Sequence, residues 1–591
     1  MIRRPMIMSL LSLVLMMVLV ACGGDESGGD SSDSGGIPAG AVEISIIYAP
    51  ESDAYMQQII PAFNDAYRRG VNPVTGAALG ADEQIVYVTG APGSSGTIAQ
   101  SIVNAVTNPN SANAARPTIF QPSVSHWLAL ANFQSGRDLF DMTDVRATAY
   151  APVVMAIWES RLRAIQETVG YDEIGWAELL DVLNSPNGWQ DYGIVDGRRT
   201  VYYGHTDPFV SSTALSTLIM EFYASAREEN YTERRLNVEM VEDEAVREGV
   251  RQIEELIRHY SRRTTEFRNY IAQGPEYLDF VALEENDLIA INRGEATFQP
   301  PEPLIALYPA EGTFWHEHPF AVPDAPWVST EQRSAARTFG DYVLLVEQQE
   351  LIMGYGFRPV NPDVEIGLPF TEENGVSIDD ALNVPQLDVP DPAVIASVQE
   401  SWEFVKKQAD IMLVIDVSGS MEGEKLENAK AAAQAFIENT GLTNRVGLAA
   451  FAERVEVLVE LDILENNKSD IAAAINRLQA GGGTALYNAT VDTVGLMSDL
   501  PDSDRIRALI LLSDGEDTCQ GDCRGRSDAV TAIEASSNAL NPVIVVPVGY
   551  GDISVQLERE LGALANASNT IWVPGNPDNI NELLELISSF F

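Results

Sequence analysis

The sequence predicts an α/β protein made of two sheet-containing modules. Three observations carry that prediction. Short apolar runs of strand length alternate with helical patterns from residue 42 onward. The alternation breaks once, over residues 366–405, where Pro369, Pro385, Pro390 and Pro392 sit among many acidic residues. An apolar fraction of 45% is enough for sizeable cores, and 591 residues allow two or three domains.

At the start, Arg3 and Arg4 precede an apolar stretch over residues 6–21, broken only by Ser9 and Ser12. It is short for a membrane span and has the flanking charge of a secretory leader. It ends in Leu19-Val20-Ala21-Cys22, which resembles the bacterial lipoprotein box. The resemblance implies that residues 1–21 are removed and that Cys22 is acylated as the mature N-terminus. Residues 22–40, rich in Gly, Ser and Asp, read as a flexible tether. The expected location is extracytoplasmic, lipid-anchored to the bacterial cell membrane.

Residues 42–49 open the first module as a strand. Residues 53–67 follow as an amphipathic helix, with Tyr55, Ile59, Phe63 and Tyr67 spaced by four. A second strand over 84–88 runs into Gly90-Ala91-Pro92-Gly93-Ser94-Ser95-Gly96-Thr97 and a helix over 98–106. A third strand over 117–120 precedes Pro122-Ser123. Strand, loop and helix in this order gather the loops at one sheet edge. The glycine-rich loop lacks the Gly-Lys-Ser/Thr ending of a nucleotide loop, which excludes nucleotide binding there.

Over residues 41–365 these features resemble the bacterial extracellular solute-binding proteins, two-lobed clamps of the type II periplasmic-binding-protein fold that feed ABC transporters. Ala151-Pro152-Val153-Val154-Met155-Ala156 resembles the strand that crosses into the second lobe. Residues 203–208, with Ser211-Ser212-Thr213 opening a helix, resemble that lobe's ligand loop. Residues 307–313 and 318–322 resemble the return crossing, and 356–360 the end of the last helical region. The resemblance implies closure on an oxyanion or another small solute at helix starts. The candidate ligand residues are Ser94, Ser95, Thr97 and Ser123, with Ser211, Ser212 and Thr213 opposite. Hydroxyls and free N–H groups at a helix start suit an anion. Helix capping uses the same residues, and both readings stand. A clamp that serves only as a recognition head is a further alternative.

Other polar groups in this module read more plainly. His316 and His318 alternate onto one side of an extended strand, with Glu317 on the other. They read as a half-exposed polar strand beside Trp315, with a metal as the alternative. Glu284-Glu285 and residues 242–244 read as solvated helix faces. Trp127, Trp158, Tyr202 and Tyr203 either line the cleft or belong to the core.

Residues 366–405 read as a semi-stiff connector, with a helix over 392–405. In the second module the apolar run Ile411-Met412-Leu413-Val414-Ile415 ends in Asp416-Val417-Ser418-Gly419-Ser420. Further strands are expected over 445–451, 506–512, 542–548 and 570–573. Helices are expected over 425–440, 469–478, 484–497, 528–540, 554–565 and 579–589. Such alternation implies a mostly parallel sheet covered on both faces. Gly481-Gly482-Gly483-Thr484 and Ser513-Asp514-Gly515 lie on two more loops at the same sheet edge. Carboxylate and hydroxyl oxygens suit a small hard cation. Turn formation draws on the same residue types.

The three loops together resemble the von Willebrand factor type A (VWA) domain, a Rossmann-like doubly wound fold, over residues 406–591. They match its metal-ion-dependent adhesion site of Asp-x-Ser-x-Ser, then Thr, then Asp. The resemblance implies that Asp416, Ser418, Ser420, Thr484 and Asp514 hold Mg²⁺, or another divalent cation such as Mn²⁺ or Ca²⁺. It also implies that a partner protein completes the coordination with an Asp or Glu. Cys519 and Cys523 follow the Asp514 loop. Outside the cell, such a pair with no His nearby reads as a local disulfide.

A net charge of −49 and a pI near 4.3 argue against nucleic acid and anionic lipid surfaces as partners. The acidity reads as solubility or salt adaptation, with attraction for cations or basic surfaces as the alternative. There is no Gly-x-Ser-x-Gly elbow and no His-Glu-x-x-His, so no enzyme is expected. Metal-site domains that act with an ATPase in chelatases work where ATP is, and the leader argues against that. The expected protein is an extracytoplasmic binding protein that takes a partner through a cation and a small solute in its clamp. The alternative is the substrate-binding component of an ABC-type transporter, meeting a permease, with the second module as an accessory dock.

Overall fold

Val42–Tyr48 is the central strand of a three-stranded parallel sheet, between Val86–Pro92 and Ile119–Gln121. The helix Asp53–Arg68 lays Tyr55, Ile59, Phe63 and Tyr67 into the core of this first lobe, as their spacing by four requires. The chain then leaves through Ala151–Trp158, a strand buried along its whole length. This strand pairs antiparallel with Phe280–Glu284, Leu304–Leu307 and Trp315–His316, building the second lobe's sheet around itself. The return runs through Pro319–Phe320, which pairs with Arg146–Ala147, and Tyr150 pairs with Arg358 beside it. Trp127, Trp158 and Tyr203 are buried core residues.

These elements come from a computed structural model. It describes residues 37–575 apart from 82, 112, 195–200, 205, 256, 258–263, 276, 502–504, 538–541, 551–552, 569 and 571. The expected leader, Cys22, most of the tether, His205 and the helix over 579–589 lie outside the described residues.

The second module is a six-stranded sheet in the order Val455–Ile463, Arg445–Phe451, Ala409–Asp416, Ile506–Ser513, Val543–Tyr550, Val573–Gly575. Every pair is parallel except the first. The antiparallel edge Val455–Ile463 is absent from the sequence expectation. Its alternation of Val and Leu with Glu is nonetheless that of a half-exposed strand. Ala409–Asp416 and Ile506–Ser513 are buried throughout, as central parallel strands covered on both faces must be.

The connector is not a spacer. Pro392–Val405 forms a helix whose Val394, Ile395, Val398, Trp402 and Val405 are buried. It packs against His126–Ser135 of the first lobe, and against Ser212–Glu228, Val238–Glu242 and Glu244–Glu254 of the second. Gln399 Nε2 also donates to the Pro208 carbonyl at 2.9 Å. The apolar stripe explains the docking, since leaving it in water would forfeit burial worth about 25 cal/mol per Å². The helix leads directly into Ala409–Asp416. One apolar cluster therefore continues from Trp127 and Leu218 through the helix to Ile411 and Leu413.

Ile395 is fully buried in that shared cluster. Ile395→Ala is expected to cost about 2–4 kcal/mol. Urea unfolding followed by tryptophan fluorescence should show both modules losing stability together. A loss confined to one module would show that the helix does not join them.

Candidate functional site

The strand Ala409–Asp416 delivers Asp416 to the carboxyl edge of the second module's sheet, and two other loops are tied to it there. Gly419 N donates to Gly482 O at 3.0 Å, and Gly481 N donates to Val417 O at 2.8 Å. Gly482 takes a φ of +86°, a conformation that admits glycine without strain. Thr484 is held in turn by Thr518. Thr484 N donates to Thr518 Oγ1 at 2.9 Å, and Thr518 N donates to Thr484 O at 2.7 Å. The next residue, Cys519, is disulfide-bonded to Cys523, so the segment that braces Thr484 is itself closed into a small loop.

The side chains of the three loops meet. Ser418 Oγ and Ser420 Oγ lie 3.0 Å apart, and Ser420 Oγ donates to Asp514 Oδ1 at 2.7 Å. A Cβ placed on Gly515 would stand 3.5 Å from both Ser420 Oγ and Thr484 Oγ1, so these hydroxyls converge around one point. Asp416 is fully buried. Its Oδ1 accepts from Ser418 N at 2.8 Å and its Oδ2 from Ser513 Oγ at 2.6 Å. Burial raises its pKa to about 6 despite those hydrogen bonds. All five expected ligands are therefore neighbours. Two carboxylates and three hydroxyls in a partly closed site form an all-oxygen donor set that fits a hard divalent cation.

The remaining neighbours refine this fit. Among the described residues there is no group of three or more His, Cys, Asp or Glu that could hold a metal. Any cation here would thus depend on the hydroxyls. Lys425, which the sequence reading missed, places Nζ 2.6 Å from Asp514 Oδ2. Ser513 was missed as well, though it immediately precedes Asp514. Lys425 is the second residue of the helix Glu424–Asn439 that follows Ser420, and only the fold brings it back over the third loop.

In the first module the expected anion loops face each other but are engaged with protein. Gly96 N donates to Val210 O at 3.0 Å across the lobes. Ser95 Oγ accepts from Ser123 N at 3.3 Å, and Ser123 Oγ donates to Glu51 Oε2 at 3.4 Å. Ser211 Oγ caps its helix by accepting from Ala214 N, and Ser212 Oγ accepts from Trp127 Nε1. Ser94 makes no side-chain cap, and Thr97 is exposed. Thr213 is buried with its hydroxyl unpartnered.

Two sequence expectations are overturned here. His316 and His318 are fully buried, and so are Glu284 and Glu285. The alternation did place both imidazoles on one side, where they share one carboxylate. His316 Nδ1 lies 2.7 Å from Glu284 Oε1, and His318 Nε2 lies 3.3 Å from Glu284 Oε2. Their other nitrogens face Ser216 Oγ at 2.8 Å and Ser52 Oγ at 3.2 Å. With both nitrogens of each ring so occupied, neither imidazole is open to a metal. The Ser–His–Glu contacts are sealed from solvent and tie Ser52 of the first lobe to Ser216 of the second. Glu285 accepts from Arg358 Nε and Nη2 at 2.7 and 2.8 Å. Acids that read as solvated in the sequence are buried because a partner reaches them from a distant segment.

Family comparisons agree with both modules. A model of the bacterial extracellular solute-binding proteins matches residues 44–358, more than half of the chain. The chain belongs to that family. A model of the von Willebrand factor type A domain matches residues 411–516, so this solute-binding protein carries a VWA domain at its C-terminal side. An uncharacterized protein of Synechocystis sp. is 36% identical over 108 residues, covering 18% of this chain and 25% of its own length. The chain spans between a fifth and about half of the length of such curated relatives. Among solved structures, a von Willebrand factor type A protein from Catenulispora acidiphila covers 31% of this chain and 43% of its own, with 23% identity and a TM-score of 0.27. A periplasmic thiamin binding protein covers 62% of this chain and 96% of its own, with 11% identity and a TM-score of 0.40. Among the described residues, no helix is long and apolar enough to cross a membrane.

The raised pKa of Asp416 sets a sign for pH dependence. The folded state holds the proton more tightly than the unfolded chain, so the contribution is full below pH 4 and is lost as pH rises through about 6. In chelator, Asp416→Asn should remove a stability loss on the order of 2–3 kcal/mol between these limits. Urea midpoints of both proteins across that range check it.

Proposed function

We propose that this solute-binding protein is a lipid-anchored, extracytoplasmic recognition protein whose VWA domain takes an acidic side chain of a partner protein through a divalent cation. The convergence of Asp416, Ser418, Ser420, Thr484 and Asp514 from three loops carries the reading. Mg²⁺ is the first choice, with Mn²⁺ or Ca²⁺ as substitutes. The bound cation would supply a Lewis-acidic position for a carboxylate. With only two carboxylates from the chain, its charge would be incompletely neutralised, leaving attraction for an Asp or Glu of the partner. Asp416 and Asp514 supply the charge, and the three hydroxyls supply neutral oxygens. Lys425 must yield or share Asp514 when a cation enters. Acylation of Cys22 would hold the protein at the membrane, and the clamp would hold a small solute or serve as a recognition head.

A second reading is a substrate-binding component of an ABC-type transporter, with the VWA domain as an accessory dock near the permease. The two-lobed clamp supports it, since the described seam places loops of both lobes in contact.

Mg²⁺ at about 100 times its Kd should stabilise the protein by about 3 kcal/mol. Asp416→Ala and Thr484→Ala should abolish that gain in thermal melts. With Mn²⁺ bound, a Glu-bearing peptide should displace metal-bound water, read by water proton relaxation, while the Gln analogue should not. Equal relaxation with both peptides would sink the carboxylate-docking reading.

A further inference from the structure

Acidic groups from both lobes converge where the clamp closes. Glu51 follows the central strand of the first lobe and is only partly exposed. Across the seam lie Glu284, Asp287 and Arg268 of the second lobe, whose charges all act on Glu51. Burial beside those carboxylates lifts the Glu51 pKa to about 8. Arg268 is the guanidinium of this group, and it is already spent on Asp287, with Nε 2.5 Å from Oδ1. Glu284 is held by its two imidazoles.

An independent set of atoms belongs to the same cluster through Asp287, Ser216 and His316. Asp287 is fully buried, and its Oδ2 has no hydrogen-bond partner. Thr213 and Thr217 are buried with unpartnered hydroxyls. They share a helix face with Ser216, which meets His316. His126 is fully buried beside His316, and neither of its ring nitrogens has a partner. A buried polar atom left unpaired costs about 1–3 kcal/mol, so a cluster of them is where a polar ligand or ordered water gains most.

We propose that the clamp's solute is a small organic cation bearing a protonated amine, received by Glu51 and the free oxygen of Asp287. This deepens the solute-holding part of the reading above and rests on it. Charge decides the class. An oxyanion would enter beside the ionised Glu284 and the carboxyl groups of Glu51 and Asp287, with the nearest guanidinium already paired. It would also find the Gly96 amide donated to Val210. A metal ion would find both nitrogens of His316 and His318 engaged, and the described residues offer no cluster of metal-ligating side chains. An ammonium group instead brings only donors and a positive charge, which favours the ionised form of Glu51 and meets the unpartnered oxygen of Asp287.

The test uses the full chain in detergent with EDTA present, and thermal shift as the readout. Putrescine, agmatine and spermidine are the probes, against phosphate, sulfate and glucose, with Zn²⁺ in a separate arm without EDTA. A saturable rise in melting temperature with an amine is expected. Glu51→Gln should weaken it about tenfold or more while still folding, as shown by an unchanged melting temperature response to Mg²⁺. If phosphate or sulfate stabilises the protein and the amines do not, the cation assignment is overturned while the clamp still holds a solute. Stabilisation by Zn²⁺ that Glu51→Gln abolishes would overturn it in favour of a metal. If no probe of any charge moves the melting temperature, the solute-holding reading falls together with this one.

Discussion

Burial of the helix Pro392–Val405 is the constraint on which the rest of the molecule depends. Its apolar face fills a groove to which both lobes contribute. Its last turn hands the chain to the strand that ends in Asp416. A flexible linker would let the two modules move independently. A buried helix makes their relative placement part of the same packing problem, because interiors this dense tolerate few arrangements. Any change in the spacing of the lobes must be met by this helix, and it lies one short step from the loops that assemble the oxygen site.

Within the clamp, charge burial complements the apolar core. Arg358 pairs with Glu285, Arg161 with Asp279, and Arg268 with Asp287, each carboxylate being fully buried. Arg358 also lies over the rings of Trp315 and Phe370. Desolvating such pairs returns little net stability compared with an apolar replacement of the same shape. Removing one partner is costly, however, so each pair fixes which segments must meet. The pairs gather near the crossing strands, where the lobes need a defined relation. Glu284 is distinct among them, because its partners are imidazoles, and among the described residues its neighbour Glu51 forms no ion pair.

The VWA edge obeys a related logic. Asp416 is buried by its own strand, and the amide and hydroxyl that solvate it come from Ser418 and Ser513. Backbone bonds between the loops bring the hydroxyls of Ser420 and Thr484 together, and Ser420 Oγ adds its own bond to Asp514. The oxygen site is therefore assembled before any ligand arrives, which reduces the ordering cost of binding.

Much of this was legible in the residues. Fully apolar strands followed by Asp-x-Ser-x-Ser, Gly-Gly-Gly-Thr and Ser-Asp-Gly located the oxygen site, because local chemistry and strand polarity together place such loops at one sheet edge. The helix over 392–405 was legible, though not what it would cover. The sequence misjudged Glu284, Glu285, His316 and His318. Their burial depends on partners that are local neither in sequence nor in pattern, with Arg358 more than seventy positions from Glu285. By itself, the sequence determined the two α/β modules and the five oxygen-bearing residues that meet at the VWA edge, since both follow from periodicity and from residue chemistry within short segments. Only the tertiary structure decided that the connector is a shared core element and that the clamp's seam is acidic. Both arise from contacts between distant segments, where burial rather than local pattern sets the energy.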